Sequence, residues 1–197
     1  VPIISFTMNI AGPVKRSDLI DFVFNDGVRQ IKSAMGEPLC CRILRDTAGS
    51  AAILAYDAPA SEIKEKCISI ESCGEVGRLL DIDVIDVSGK KLSRNEERHC
   101  LICGGPVAVC ARSRAHSLGE IQAKTNDILS CRTAQIIADK AVSALIDEVS
   151  LTPKPGLVDM NDSGAHTDMD WALMVKSANS LREYFRQAAL LGLENMN

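Results

Sequence analysis

The chain has 197 residues, of which 46% are hydrophobic and 24% are charged, and its formal net charge at pH 7 is −4. These values are typical of a globular protein with one domain or two small ones, and they argue against a general nucleic-acid binder, which needs a basic excess. No apolar run approaches the roughly 20 residues of a membrane span, and no signal-peptide pattern is visible. We therefore expect a cytoplasmic protein that binds neither nucleic acid nor membrane.

The first part of the chain combines strand and helix patterns. Residues 3–10 alternate apolar and polar side chains, which predicts a half-buried strand. Ser17 is expected to cap a helix in which Gly27 lies on the apolar stripe, where it allows close packing. Residues 40–45 and 51–57 then predict two strands joined by a turn.

A second helix and the strongest strand signal follow. Ser61 is expected to open the helix, and residues 79–87 predict a strand that turns back at residues 88–89 into a short strand over residues 90–93. This order predicts an α+β domain with a mixed or antiparallel sheet and flanking helices. From residue 117 onward the patterns suit helices alone, so we expect an all-α C-terminal segment.

Two carboxylates form the first candidate site. Asp81 and Asp83 lie two residues apart in the predicted strand, so both side chains point to one face. Carboxylate pairs of this kind bind Mg²⁺ in phosphoryl and nucleotidyl transfer. The alternative is a solvated strand face, but the same face continues into the apolar residues Ile85 and Val87.

Basic residues surround this strand and could bind phosphate groups. Seven of them lie between residues 78 and 114: Arg78, Lys90, Lys91, Arg94, Arg98, Arg112 and Arg114. Lys15, just before a predicted helix N-terminus, is a further candidate. Ordinary surface charge is the alternative for each of them.

Cysteine and histidine residues form a third candidate site. Cys100, Cys103, Cys110 and His116 offer four ligands of the type that zinc prefers, although their spacing is not that of a standard zinc finger. The alternative is a group of buried, reduced thiols. The eight cysteines of the chain are read as reduced, since a chain of this size does not need disulfides.

A fourth candidate site lies near the C-terminus. His166, Asp168 and Asp170 alternate beside the loop at residues 151–159 that contains Lys154, which suggests a metal or phosphate site. Asp168 could equally be a helix N-cap.

Five segments with these motifs resemble the apo-citrate lyase phosphoribosyl-dephospho-CoA transferase family. The segments are residues 1–15, 23–28, 77–84, 88–94 and 98–117. The resemblance implies a nucleotidyltransferase that moves the prosthetic group of triphosphoribosyl-dephospho-CoA to a serine of the citrate lyase acyl carrier protein and releases pyrophosphate. It implies that Asp81 and Asp83 are catalytic and hold Mg²⁺, and that Lys15, Arg78 and Arg94 contact the triphosphate. The strand pattern around the two aspartates is also similar to that of polymerase-β-type nucleotidyltransferases.

Three later segments resemble triphosphoribosyl-dephospho-CoA synthase, which makes this donor from ATP and dephospho-CoA. They are residues 144–159, 161–170 and 177–185. We therefore expect a transferase domain at residues 1–125 with an incomplete N-terminus, and a truncated helical synthase domain at residues 126–197 without synthase activity of its own. Two alternatives stay open, namely transfer to the carrier protein of malonate decarboxylase and a non-catalytic, zinc-stabilised interaction module.

Overall fold

The computed structural model describes residues 1–94 and 98–151. Four strands are present in this part of the chain: β1 (Ile3–Met8), β2 (Cys40–Asp46), β3 (Gly49–Ala55) and β4 (Leu80–Ile85). The helices of the same residues are α1 (Asp18–Met35), α2 (Ala60–Glu71), α3 (Gly74–Gly77), α4 (Val107–Ser113) and α5 (Leu118–Leu151). No described helix combines the length and apolar character that a membrane crossing requires.

The four strands form one antiparallel sheet in the order β2-β3-β1-β4. Because α1 connects β1 to β2 and α2 connects β3 to β4, two βαβ units interleave, which is the split βαβ arrangement of ferredoxin-like domains. The predicted α+β class with an antiparallel sheet and flanking helices is confirmed.

The main core lies between one face of this sheet and the helices α1 and α2. Ile4 and Phe6 of β1 are fully buried there, and the ring of Phe6 stacks on Phe24 of α1 with 4.9 Å between the centroids. A Cβ atom at Gly27 would lie only 2.5 Å from Cζ of Phe6, so the helix approaches the strand closely at this glycine. The close packing predicted for Gly27 is confirmed.

Local signals set the helix ends. The hydroxyl of Ser17 accepts a hydrogen bond from the backbone N–H of Ile20 at 3.2 Å, which confirms the predicted N-cap. The prediction that Ser61 opens the second helix is wrong, because α2 already begins at Ala60 with Pro59 in the N-cap position. Proline is compatible with this position because no helical N–H is lost there.

The predicted strand over residues 90–93 is also wrong in extent. Only a single antiparallel bridge joins Ile85 and Lys91. The backbone turns earlier because the carboxylate of Asp86 accepts hydrogen bonds from the N–H groups of Ser88 and Lys90, at 2.8 and 2.9 Å. An Asp side chain that caps its own turn in this way competes with strand pairing.

The contacts of the chain divide it into two units, Val1–Arg132 and Thr133–Asn197. In the first unit, α5 begins with a reciprocal cap in which Ser117 and Glu120 hydrogen-bond to each other's backbone N–H. Ile128 and Leu129 of α5 then complete a second core cluster of this unit. The boundary predicted between residues 125 and 126 falls within this helix.

In the second unit the described residues are helical up to Leu151, in agreement with the predicted all-α segment. The rest of the predicted all-α segment lies outside the described residues, as does the predicted site with Lys154, His166 and Asp168.

Candidate functional site

Asp81 and Asp83 lie on the sheet face opposite the main core. Along β4, Ile82 and Val84 are buried in the core while the two aspartates alternate with them. In the pairing with the central strand β1, Asp81 lies opposite Thr7 and Asp83 opposite Ser5. Their side chains are 43% and 28% exposed, so both carboxylates can be reached from solvent. The prediction that the two side chains share one face is confirmed.

Each of these carboxylates forms an ion pair with a basic side chain. Nη2 of Arg98 lies 2.8 Å from Oδ1 of Asp81, and Nζ of Lys91 lies 2.6 Å from Oδ2 of Asp83. The hydrogen bond to Asp83 is the main reason that the pKa of Lys91 is raised. Since a carboxylate has two acceptor oxygens, each aspartate can present its other oxygen to a further ligand.

A buried carboxylate organises the basic side chains next to this strand. The side chain of Glu71, at the end of α2, is only 2% exposed and accepts hydrogen bonds from Nη2 of Arg98, at 2.5 Å, and from Nη2 of Arg94. It also accepts the backbone N–H of Ile82 at 3.1 Å, while Nζ of Lys64 donates to the carbonyl oxygen of Ile82 at 3.4 Å. Glu71 and Lys64 thus provide hydrogen-bond partners for the backbone N–H and carbonyl groups of Ile82, which have no neighbouring strand on the outer edge of β4 in the described part of the chain.

A cavity of about 710 Å³ lies beside this network. Arg78, Arg94 and Arg98 line it together with Asn9 and Glu71. The apolar part of the wall consists of Leu101, Ile102, Val107 and Ile121. The volume is in the range of small-molecule sites, and a mainly apolar wall with a few convergent charges is their usual composition. The structure therefore brings the predicted residues Arg78 and Arg94 together in one cavity.

Two other predicted phosphate contacts lie elsewhere. Lys15 donates a hydrogen bond to the carbonyl oxygen of Ile10 at 2.5 Å and packs beside Gly49, at the end of the sheet where β3 begins. Arg112 is exposed in the last turn of α4. Neither residue is part of the cavity wall.

The predicted cysteine and histidine ligands come together beside the cavity. One ligand atom from each of Cys100, Cys103, Cys110 and His116 lies within 4.8 Å of all the others. The backbone N–H of Ile102 donates to Sγ of Cys100 at 3.4 Å. The four residues thus form a cluster that could hold a metal ion. Cys100, Cys110 and His116 also line the cavity.

The electrostatics of the cluster also suit a metal. The backbone N–H of Gly105 and the side chain of His116 lower the pKa of Cys103 to about 6, because both stabilise its thiolate. The shared hydrogen bond with Cys103, 3.4 Å between the sulfur atoms, raises the pKa of Cys110 to about 11. Nε2 of His116 is buried and has no hydrogen-bond partner among the described residues. An orphaned imidazole nitrogen beside a thiolate is a donor set that zinc binds well.

The sequence patterns did not single out Glu71 as part of the site. Its signal was available, because Glu71 follows Cys67 by four residues on the buried stripe of α2. A carboxylate at such a position must have buried partners. Arg98 was noticed only as one of seven basic residues, since its contacts with Glu71 and Asp81 span 27 and 17 residues of sequence.

Comparisons with known proteins agree with the two resemblances. Residues 1–132 match the family model of apo-citrate lyase phosphoribosyl-dephospho-CoA transferase, and residues 134–196 match that of ATP:dephospho-CoA triphosphoribosyl transferase. Among similar proteins, the apo-citrate lyase phosphoribosyl-dephospho-CoA transferase of Escherichia coli O157:H7 is 35% identical over 66% of this chain and 78% of its own length.

Two longer relatives match both parts of the chain. The protein named CitXG of Haemophilus influenzae is 32% identical over 97% of this chain, and that of Leuconostoc mesenteroides subsp. cremoris is 29% identical over 96%. The matches cover 43% and 44% of these relatives, so the chain spans less than half of their length. With its first 132 residues matched by the transferase family model, the chain belongs to the apo-citrate lyase phosphoribosyl-dephospho-CoA transferase family.

Proposed function

We propose that this chain is a nucleotidyltransferase that moves the prosthetic group of triphosphoribosyl-dephospho-CoA to a serine of the citrate lyase acyl carrier protein. Besides the family membership, one structural observation carries the proposal. Arg98 binds Asp81 on the open sheet face, binds the buried Glu71 and lines the cavity. The carboxylate pair and the arginine-lined cavity are therefore parts of one site.

The cavity suits the donor because it combines cations with an apolar wall. Arg78, Arg94 and Arg98 are the proposed contacts of the triphosphate, since guanidinium groups bind phosphate oxygens in a fixed fork geometry. The apolar wall, which includes Leu101 and Val107, would pack against the less polar parts of the dephospho-CoA moiety.

The aspartate pair fits a magnesium ion. Asp81 and Asp83 offer hard oxygen ligands on one face of a rigid strand, and both are partly exposed. Mg²⁺ prefers one or two carboxylates together with substrate phosphates, so this donor set is appropriate. When bound there, the ion would neutralise charge on the triphosphate.

The residues of the chain then have separate tasks in the reaction. The arginines hold the donor with its α-phosphate toward the open sheet face. The carrier serine oxygen forms a bond to the α-phosphorus, the bond from that phosphorus to the bridging oxygen breaks, pyrophosphate leaves and the hydroxyl proton is released to water. Arg94 and Arg98 stabilise the charge that accumulates on the departing pyrophosphate.

For the cluster of Cys100, Cys103, Cys110 and His116 we propose a structural zinc ion. Three thiolates and an imidazole are a common closed set of zinc ligands, and the four ligand atoms all lie within 4.8 Å of one another. The ion would fix the segment that follows Arg98 and so stabilise one wall of the cavity. Such a cluster requires reduced cysteines, which a cytoplasmic location would maintain. Elemental analysis of the purified protein tests this proposal: about one zinc per chain supports it, and metal-free protein of unchanged stability contradicts it.

The second unit supports a further proposal. Because residues 134–196 match the triphosphoribosyl transferase family, we propose that they belong to a domain that makes the donor from ATP and dephospho-CoA. Lys154, His166 and Asp168 remain the proposed phosphate contacts of this domain.

The transfer proposal is tested by pyrophosphate release. The chain is incubated with Mg²⁺, triphosphoribosyl-dephospho-CoA and either apo-carrier protein, that of citrate lyase or that of malonate decarboxylase. We expect pyrophosphate only when donor and carrier are both present, with the citrate lyase carrier as the better substrate. Preference for the malonate decarboxylase carrier would reassign the substrate, and a zinc-bound protein without release would indicate a non-catalytic module.

A further inference from the structure

Glu71 occupies a position at which an ionised carboxylate is energetically unfavourable. Its side chain is 2% exposed, and it is the last residue of α2. Burial disfavours an ionised group unless it is paired, and the C-terminal end of a helix carries partial negative charge that repels a carboxylate. Helix stability therefore gives no reason for an acidic residue at this position.

The arginines provide that reason. Nη2 of Arg94 and Nη2 of Arg98 both donate to the Glu71 carboxylate, one to each oxygen. Nη2 of Arg98 also contacts the carbonyl oxygen of Leu80 at 3.3 Å and Oδ1 of Asp81 at 2.8 Å. Two guanidinium groups that would otherwise repel each other are thus held side by side on one wall of the cavity.

These contacts leave hydrogen-bonding capacity for a ligand. A guanidinium group has five N–H donors, and the contacts with Glu71, Leu80 and Asp81 all use Nη2. Among the residues that the structure describes, no contact of these two arginines uses Nε or Nη1, so these donors can bind oxygens of an anion in the cavity. Two fixed guanidinium groups match a diphosphate better than mobile side chains, because less conformational entropy is lost on binding.

We propose that Glu71 is a positioning residue that orients Arg94 and Arg98 toward the β- and γ-phosphates of the donor. This inference rests on the proposed transfer reaction and deepens it. Glu71 acts through the arginines, and through Arg98 it also fixes the orientation of Asp81.

Glu71→Gln is the variant that separates positioning from structural support. The amide oxygen of Gln can still accept a hydrogen bond from the N–H of Ile82, so the contact between α2 and the edge strand β4 is retained. The negative charge that holds the two arginines is lost. Glu65→Gln is the matched control, because Glu65 is an exposed glutamate on the same helix.

Three quantities are measured for both variants and the unmodified chain. They are the Kd of inorganic pyrophosphate by calorimetry, the KM values of donor and carrier in the transfer reaction, and the melting temperature. For Glu71→Gln we expect the Kd of pyrophosphate and the KM of the donor to rise at least roughly tenfold, since charge-assisted hydrogen bonds are lost. The KM of the carrier should not change, and Glu65→Gln should behave as the unmodified chain.

An unchanged Kd and donor KM in folded Glu71→Gln would overturn the inference, as would equal increases in the KM values of both substrates. If Glu71→Gln does not fold, Glu71→Asp decides: its shorter carboxylate keeps the charge but shifts the arginines, so a raised Kd supports positioning and an unchanged Kd overturns it. Pyrophosphate binding requires no carrier. Its loss in the variant therefore supports positioning even where the unmodified chain fails to transfer, a failure that would contradict only the proposed function.

Discussion

Replacing Asp81 with Asn tests the proposed metal pair with little change in shape. The substitution removes one negative charge and weakens the 2.8 Å contact with Arg98. Because the side chain is 43% exposed, solvent screens this ion pair, and its loss should lower the free energy of unfolding by only about 0.2–1 kcal/mol. The fold of the variant should therefore be intact.

The expected effect on transfer is much larger. A metal that neutralises transition-state charge contributes several kcal/mol, and each ~1.4 kcal/mol is a factor of ten in rate. We expect Asp81→Asn and Asp83→Asn each to lower kcat/KM by roughly 100- to 1000-fold and to weaken the Mg²⁺ dependence. The assay is initial-rate pyrophosphate release over a Mg²⁺ titration, with melting temperatures recorded for each variant.

Asp86→Asn is the matched control on the same segment. Asp86 caps the turn to Lys90 through backbone N–H groups, and the Asn side-chain oxygen can accept the same bonds. Its activity should stay within about threefold of the unmodified chain, because the turn is preserved and no metal ligand is lost. Equal activity in the variants of Asp81, Asp83 and Asp86, or an unchanged Mg²⁺ dependence, would refute the assignment of the pair as metal ligands.

Three further predictions concern the stability of the first unit. Cys103→Ser should reduce bound zinc measured by elemental analysis and lower the melting temperature, whereas full zinc content would contradict the proposed site. Gly27→Ala should lower the free energy of unfolding in urea by about 1–2 kcal/mol, because its methyl group would meet Phe6 at 2.5 Å; an increase would contradict the close approach. The hydrogen bond from Arg16 lowers the pKa of Asp21, so the ionised carboxylate stabilises the fold above its unfolded pKa of about 4, and this stabilisation is lost as the pH falls further. In urea unfolding at a series of pH values, Asp21→Asn should therefore lose less stability in acid than the unmodified chain. An unchanged pH profile would contradict this prediction.

The sequence predicted most of what depends on local periodicity. The alternation around Phe6, the cap at Ser17 and the shared face of Asp81 and Asp83 are all found, because each signal lies within a few neighbouring residues. The predicted extent of the strand over residues 90–93 was wrong, because the hydrogen bonds from the turn to the Asp86 side chain outweigh the strand tendency of the residues that follow.

The site could be predicted only in its parts. The four zinc-type ligands lie within 17 residues of one another, and their chemistry is visible in the residue types. The contact of Glu71 with Arg98 is different, because it joins residues 27 positions apart and depends on how α2 packs against β4. A contact between residues so far apart in the chain leaves no local sequence pattern. The sequence therefore indicated that Arg98 is one of several basic residues but did not indicate that Glu71 is its partner.

The central claim is the attachment of the prosthetic group to a carrier protein. The most direct measurement is the intact mass of citrate lyase apo-acyl carrier protein after incubation with this chain, triphosphoribosyl-dephospho-CoA and Mg²⁺. We predict a mass gain equal to the donor minus pyrophosphate, located on a single serine and absent with the Asp81→Asn variant. A carrier of unchanged mass, under conditions where a transferase of the same family modifies it fully, would contradict the account.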